Sequence, residues 1–342
     1  MKLHLDKDAF KLLLNRIHER TGYRTDVLEK DYYVVLILNE LSQMQKEGLP
    51  AYFKGGTALY KALKTTNRFS EDIDLSVDSR DCSRTQNDKR LEKATKKYAS
   101  LIRDVESGRT HRSEVISVYN YEPVTSYDIN DSLQRFGKLK IEATSFTISE
   151  PVEALSVSPM IYDLATEEEK YALENNYDIK PFDVLTITLE RIFIDKLFAT
   201  EAYVRDSDKN SRAFEAAKHI YDLAIMEMHP KITSLINDEK QMKKLISIRL
   251  DEEQSRLDGI PGVLPNDFIF FTEAKENMKV QKAYDTMQNQ YVMRDKDRID
   301  FALAMDSIAR IHQGLMNNSA WYNYQTSHNQ NETDKYKMEQ TM

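Results

Sequence analysis

Apolar residues recur at helical spacing over residues 6 to 19 and 25 to 46, with Asp6 and Thr25 placed as N-caps and Gly48-Leu49-Pro50 closing the second run. The pattern then shortens. Ala51, Tyr52 and Phe53 read as a brief buried strand, Gly55-Gly56 interrupts it, and Thr57 opens a helical run that it is placed to cap. From Ile73 to Val77 the apolar members Ile73, Leu75 and Val77 alternate with polar ones, the period-two signature of a half-buried strand. Residues 83 to 105 predict a mostly polar helix with Ala94, Tyr98, Leu101, Ile102 and Val105 as its buried stripe. Glu114 to Tyr121, Gly137 to Ile148 and Val152 to Ser158 read as extended segments, separated by Pro123, a polar loop and Glu150-Pro151.

Downstream, a short apolar strand from Val184 to Ile187 precedes a helix whose stripe is Leu189, Ile192, Phe193 and Leu197, with Lys196 at its edge. A further helix lines up Phe214, Ala217, Tyr221, Ala224 and Met228. Segments 231 to 256, 269 to 288 and 296 to 316 read as helices without a chemical motif. Strands interleaved with helices, followed by helices alone, predict an α/β (α+β) chain: a mixed-sheet domain over residues 1–165, a helical half over 166–316 that completes the site, and a polar, mobile tail over 317–342 despite Trp321. No repeat or low-complexity linker separates these parts.

The strand at Ile73 carries the chemistry. Residues two apart on a strand project from one face, so Asp72 and Asp74 stand together. Two such carboxylates repel one another unless a cation lies between them, and a two-metal site needs shared oxygen ligands for ions about 3.5–4 Å apart. Sixteen residues upstream, Gly55-Gly56 lies at a strand-to-helix junction, where main-chain N–H groups and a helix N-terminus receive an anion such as a triphosphate. In the segment after Gly137, Lys138, Lys140, Glu142 and Thr144 alternate with Leu139, Ile141 and Ala143, which puts Glu142 on the polar face as a candidate third metal ligand.

Composition narrows the class. Of 342 residues 41% are hydrophobic and 30% charged, an ordinary globular balance. The net charge of −8 argues against tight non-specific binding of long nucleic acid, although ten Lys/Arg against five Asp/Glu between Arg80 and Arg112 make one locally basic stretch, which leaves the acidic strand directly and is a candidate path for an RNA backbone. The single Cys82 excludes an intrachain disulfide. The start lacks an apolar signal region and the longest apolar run, Tyr32 to Leu38, is too short to span a bilayer, so a cytoplasmic protein with no membrane partner is expected.

Gly55-Gly56-Thr57, Arg68-Phe69-Ser70 and Asp72-Ile73-Asp74-Leu75 together resemble the first motif of the AbiEii/AbiGii nucleotidyltransferases, toxins of two-gene abortive-infection and toxin–antitoxin systems. The resemblance extends more loosely to about residue 226. It implies a nucleotidyltransferase-type mixed sheet, with Mg²⁺ (Mn²⁺ as a substitute) held by Asp72, Asp74 and Glu142, and a nucleoside triphosphate bound by Gly55, Gly56, Thr57, Arg68, Ser70, Arg191 and Lys196. Glu190, Arg191 and Lys196 match the family's third motif, in which the lysine holds the triphosphate. Lys218-His219-Ile220-Tyr221-Asp222 resembles the fourth, where Asp222 orients Lys196, binds the nucleotide sugar or serves as a base; on helical spacing alone it reads instead as a solvated partner of Lys218. Glu29-Lys30-Asp31-Tyr32 resembles a signature that precedes the glycine turn, and its charges read as surface groups on a packed helix. Transfer of a nucleotide to the 3′ end of tRNA and neutralisation by a cognate antitoxin are what the resemblance implies for substrate and partner. Nucleotidylylation of a protein side chain, and a nucleotide-binding regulatory module without turnover, are the alternatives.

Overall fold

The computed structural model describes residues 1–80, 82–111, 113–125, 136–209, 211–256 and 263–322. The chain divides into two compact units, Met1–Thr188 with Tyr291–Asp297, and Leu189–Gln290 with Arg298–Met342.

In the first unit, α1 (Lys7–Thr21) begins at Asp6, whose carboxylate accepts from the Ala9 N–H, and ends at Gly22 in the left-handed region. Helix α2 (Thr25–Lys46) starts one residue before its expected cap position would allow, with Arg24 preceding it, and is buried without a break from Asp26 to Leu38. Its apolar residues are therefore no single stripe: Leu28, Tyr32 and Tyr33 pack with Phe10, Leu14 and Ile17 of α1, and the opposite side is covered as well. After β1 (Ala51–Lys54) and α3 (Gly55–Lys61) comes β2 (Ile73–Val77), in which Ile73, Leu75 and Val77 are fully buried, as the alternation predicts.

Helix α4 (Arg84–Lys96) is shorter than its expected span. It gives way to β3 (Ile102–His111), a sheet edge on which Ile102 and Val105 are 78% and 71% exposed rather than buried. Strands β4 (Glu114–Asn120), β5 (Lys138–Thr144) and β6 (Val152–Val157) fall inside the extended segments read from the sequence. The short α5 (Met160–Asp163), α6 (Glu167–Tyr177) and β7 (Phe182–Ile187) complete this part. The strands form one mixed sheet in the order β3-β4-β5-β2-β1-β7-β6. Because β7 lies parallel to β1 inside this sheet, the first unit runs to Thr188 and the boundary expected at residue 165 is corrected.

Strand register separates the two faces of the sheet. Asp74 pairs with Glu142 and Glu142 with Ile116, and all three point to one side; Leu75, Ala143 and Val115 point to the other. Helix α4 packs on the second side, where Tyr98 meets Tyr119 edge-on at 5.7 Å and the Tyr119 hydroxyl donates to the Thr95 carbonyl. The basic helix thus lies on the reverse of the sheet from the acids, contrary to the path for RNA expected from its place in the chain.

The second unit is helical: α7 (Leu189–Arg205), α8 (Arg212–Met226), α9 (Pro230–Asn237), α10 (Glu239–Arg256), α11 (Phe270–Glu273), α12 (Met278–Tyr291), α13 (Phe301–Met316) and α14 (Ser319–Tyr322). Its core includes Phe193, Leu197, Tyr221, Tyr284 and Phe270. Trp321, placed in a mobile tail by composition, is fully buried edge-on to Phe268 at 5.6 Å, so that expectation is corrected at Trp321; the remainder of the expected tail, 323–342, lies outside the described residues. Among the described residues no helix is long and apolar enough to cross a membrane.

Candidate functional site

The glycine turn and the acidic strand meet because β1 and β2 are antiparallel neighbours, with Lys54 opposite Asp74. Gly55 follows Lys54 with φ of 79°, a left-handed conformation costly for other residues, and a Cβ there would land on Asp74 Oδ2. At Gly56 a Cβ would stand 2.9 Å from both Arg68 Nη2 and Ser70 Oγ. Both glycines are required by close approach, and the groups that approach are the other residues of the motif. Thr57 does not cap α3, which already begins at Gly55; its hydroxyl donates to the Asp72 carbonyl and lies within hydrogen-bond distance, 3.0 Å, of Ser70 Oγ, tying the turn to the start of β2. Arg68 is buried, and its backbone bridges Val292 while Phe69 N–H donates to the Tyr291 carbonyl at 2.8 Å. The segment Tyr291–Asp297 returns to this unit for that contact, and no pattern in the sequence announces it.

Asp72, Asp74 and Glu142 come together as the period-two reading of β2 and β5 predicts, Asp74 and Glu142 as direct partners in the parallel register. Burial pushes the Asp74 carboxyl up, and the negative charges of Glu142 and Asp72 add to this, to about 7. Lys140 Nζ stands 2.8 Å from Asp72 Oδ2 and 3.6 Å from Glu142 Oε2. Burial alone would lower that ammonium's pKa, yet the charges of Asp72, Glu142 and Asp74 more than offset it and hold it above the ordinary lysine value. Lys54 reaches the same cluster, donating to Thr144 Oγ1 at 2.9 Å and lowering the pKa of Asp74. Lys54 and Lys140 thus belong to this cluster without being among the site residues expected from the sequence, although the alternation in β5 puts Lys140 on the acidic face.

Among the described residues no three His, Cys, Asp or Glu side chains have the convergence of a closed metal shell. The donor set nevertheless fits a hard divalent cation: three carboxylates on or beside adjoining strands, one raised toward neutrality by burial and by the other two, with an ammonium drawn between them. A cation that displaced Lys140 would relieve the same repulsion with twice the charge.

The second unit holds the remaining motif residues. Lys196 is 4% exposed, not at the rim of α7; its Nζ donates to Asp222 Oδ2 at 2.7 Å and stands 3.1 Å from His219 Nδ1. Asp222 is fully buried, and Lys218 pairs with Glu215 at 2.8 Å, so the solvated Lys218–Asp222 reading is corrected. Arg191 is buried against Glu252 at 2.6 Å and Asp195 at 3.1 Å. Its guanidinium is engaged by carboxylates on α7 and α10.

The charged triplet on α2 also departs from expectation. Glu29, Lys30 and Asp31 are 1%, 3% and 0% exposed, because each finds a partner brought in from elsewhere in the fold.

Against known proteins, the family model described as nucleotidyl transferase AbiEii toxin, type IV TA system, matches residues 37–306. In fold the chain is similar to MenT4, the nucleotidyltransferase toxin Rv2826c from Mycobacterium tuberculosis H37Rv, with a TM-score of 0.54 and 15% identity over 91% of this chain and 92% of that one. No curated protein matches. The matched span takes in the glycine turn, the paired aspartates, Glu142, Lys196 and Asp222, and the chain belongs to the AbiEii family of nucleotidyltransferase toxins of type IV toxin–antitoxin systems.

Proposed function

We propose that this nucleotidyltransferase moves a nucleoside monophosphate from a nucleoside triphosphate to an acceptor hydroxyl, with Asp72, Asp74 and Glu142 holding Mg²⁺, or Mn²⁺ in its place. When bound, the cations neutralise phosphate charge and polarise the α-phosphate. The hydroxyl oxygen bonds to the α-phosphorus, the bond to the bridging α,β-oxygen breaks, and pyrophosphate leaves. Glu142, half-buried beside Lys140, accepts the hydroxyl proton. The N–H groups of the Gly55-Gly56 turn, with Arg68 and Ser70 against it, receive the phosphates. Little covalent chemistry falls to the protein, so positioning and charge carry the rate.

Lys196 takes the outer phosphates in this reading and Asp222 is its positioning partner, which the 2.7 Å pairing favours over a role as base or sugar ligand. Arg191 supports α7 rather than the nucleotide.

The observation that carries the proposal is Asp74, raised to about 7 by burial and two more carboxylates directly opposite a turn that only glycine fits. The acceptor is RNA, with the 3′ end of tRNA as the specific site, and a cognate antitoxin is the regulatory partner. To test this, purified protein is given each α-labelled nucleoside triphosphate with Mg²⁺, total RNA and cell lysate. Label in tRNA, lost after removal of the 3′ nucleotide, supports the reading. Label in protein transfers it to side-chain nucleotidylylation, and no label anywhere sinks the catalytic assignment.

A further inference from the structure

Glu29, Lys30 and Asp31 are consecutive, charged and buried, and no step of the transfer uses them. Buried charges are retained at a cost of several kcal/mol each unless they are well paired. Successive residues on a helix point about 100° apart, so the three leave α2 in three directions. Each ends on a different part of the frame around the carboxylates. Glu29 accepts from Val124 N–H at 2.7 Å, Thr125 N–H at 3.1 Å and the Thr125 hydroxyl at 2.5 Å. Lys30 Nζ donates to the Lys138 carbonyl at 2.5 Å and lies 3.4 Å from Glu71 Oε2. Asp31 accepts from the Tyr60 hydroxyl at 2.6 Å and Met160 N–H at 2.5 Å, and pairs with Lys61 at 2.7 Å.

The destinations are specific. Glu71 immediately precedes Asp72, and Lys138 opens the strand that carries Lys140 and Glu142. Tyr60 and Lys61 close α3, the helix that begins at Gly55. We infer that Lys30 is a positioning residue: its ammonium clamps the residue before Asp72 to the residue that opens β5 and so fixes the spacing of Asp72 and Glu142, while Asp31 fixes the glycine-turn helix to the same rod. Helix α2 then sets the geometry of the carboxylates and the phosphate turn together, from behind, without touching substrate.

The inference rests on reading these carboxylates as the metal-binding, catalytic set. Wild type, Lys30→Met and the double variant Lys30→Met/Glu71→Gln are compared in Mn²⁺ binding by electron paramagnetic resonance and in nucleotide transfer, with Leu14→Ala in α1 as a control of similar melting temperature. A displacement of about 1 Å at a reacting centre costs on the order of 100-fold in rate. The expected result is therefore a large fall in kcat and weaker Mn²⁺ binding in both Lys30 variants, with little change in KM for the triphosphate, while Leu14→Ala keeps wild-type values well below its melting temperature. The double variant matters because it removes both charges: if Lys30→Met fails to fold, the double, in which neither charge of the pair remains, is the one read. Full turnover and Mn²⁺ affinity in a folded Lys30 variant overturn the inference, as does failure of both variants to fold, which makes Lys30 a folding determinant only. Wild type that neither binds Mn²⁺ nor transfers a nucleotide overturns instead the functional reading beneath it.

Discussion

The Lys140 ammonium stands 2.8 Å from Asp72 Oδ2, and this one pairing separates two aspartates that their spacing makes look equivalent. Asp72 has a cationic partner in the metal-free protein, whereas Asp74 is left with a carboxyl raised to about 7 by burial, Glu142 and Asp72.

Asp74→Asn is therefore expected to abolish transfer yet stabilise the metal-free protein by about 1–2 kcal/mol at pH 8, after allowance for solvent screening. A folded pKa above the ordinary 3.8 means that the folded state binds the extra proton. The contribution of Asp74 is then fully favourable below about pH 4 and is lost as pH rises through about 7. Chemical denaturation in chelator from pH 4 to 8 should show the wild type losing this increment and Asp74→Asn not losing it. Asp72→Asn, which strips Lys140 of its nearest carboxylate, should be equally inactive but no more stable than wild type. Equal stabilisation by both substitutions would refute the distinction.

Gly55→Ala introduces a Cβ at Asp74 Oδ2 in a backbone conformation with φ of 79°. The left-handed backbone alone costs about 1–2 kcal/mol. Displacement of Asp74 should reduce kcat by at least about tenfold beyond any loss of folded protein. Calorimetric melting with single-turnover kinetics separates the two effects, and a destabilised variant with normal kcat would remove Gly55 from the site.

Lys196→Ala removes the cation paired with Asp222, which is fully buried. Loss of one partner of such a pair costs about 3–5 kcal/mol. Lys196→Met/Asp222→Asn removes both charges and should recover most of that stability. In the recovered double, calorimetric titration should give a larger loss of affinity for a triphosphate than for a monophosphate. Equal losses would identify Lys196 as structural.

The acceptor should follow the acid-bearing face of the sheet, where register puts Arg109 opposite Ile116 and Lys138 opposite Asn120, and not the basic helix α4 behind it. Each phosphate contact to single-stranded RNA contributes about −0.7 to the log-log salt slope. Arg109→Gln/Lys138→Gln should flatten the slope for tRNA, whereas glutamine at Lys89, Arg90, Lys93, Lys96 and Lys97 should leave it nearly unchanged. The reverse outcome would return the RNA to α4.

The part of the site legible in the sequence is the part governed by local period. Alternation in β2 and β5 put Asp72, Asp74 and Glu142 on one face, because side-chain direction along a strand depends only on neighbours. Partners brought in from a distance have no such signature. Nothing near Glu29-Lys30-Asp31 reveals that Thr125, Glu71 and Met160 will meet them, so three buried charges read as surface ones. Asp222 as the mate of Lys196 comes from the family resemblance, as one of three roles, whereas helical spacing alone pairs it with Lys218. Ile102 and Val105 fit helical spacing with Leu101, but they lie in the edge strand β3, where residues three apart project from opposite faces and both are exposed. Trp321 was lost in a polar context because its cover, Phe268 and Phe271, lies far back along the chain.

The return of Tyr291–Asp297 to the first unit bears on how this toxin is made. A ribosome that has released residues 1–188 has produced every strand of the sheet, yet the main-chain groups of Asn67, Arg68 and Phe69, just ahead of the acidic strand, still await partners that are translated more than a hundred residues later. A product cut short before Tyr291 accordingly lacks the chain that pins the segment leading into Asp72, and that support closes only once translation has passed Asp297.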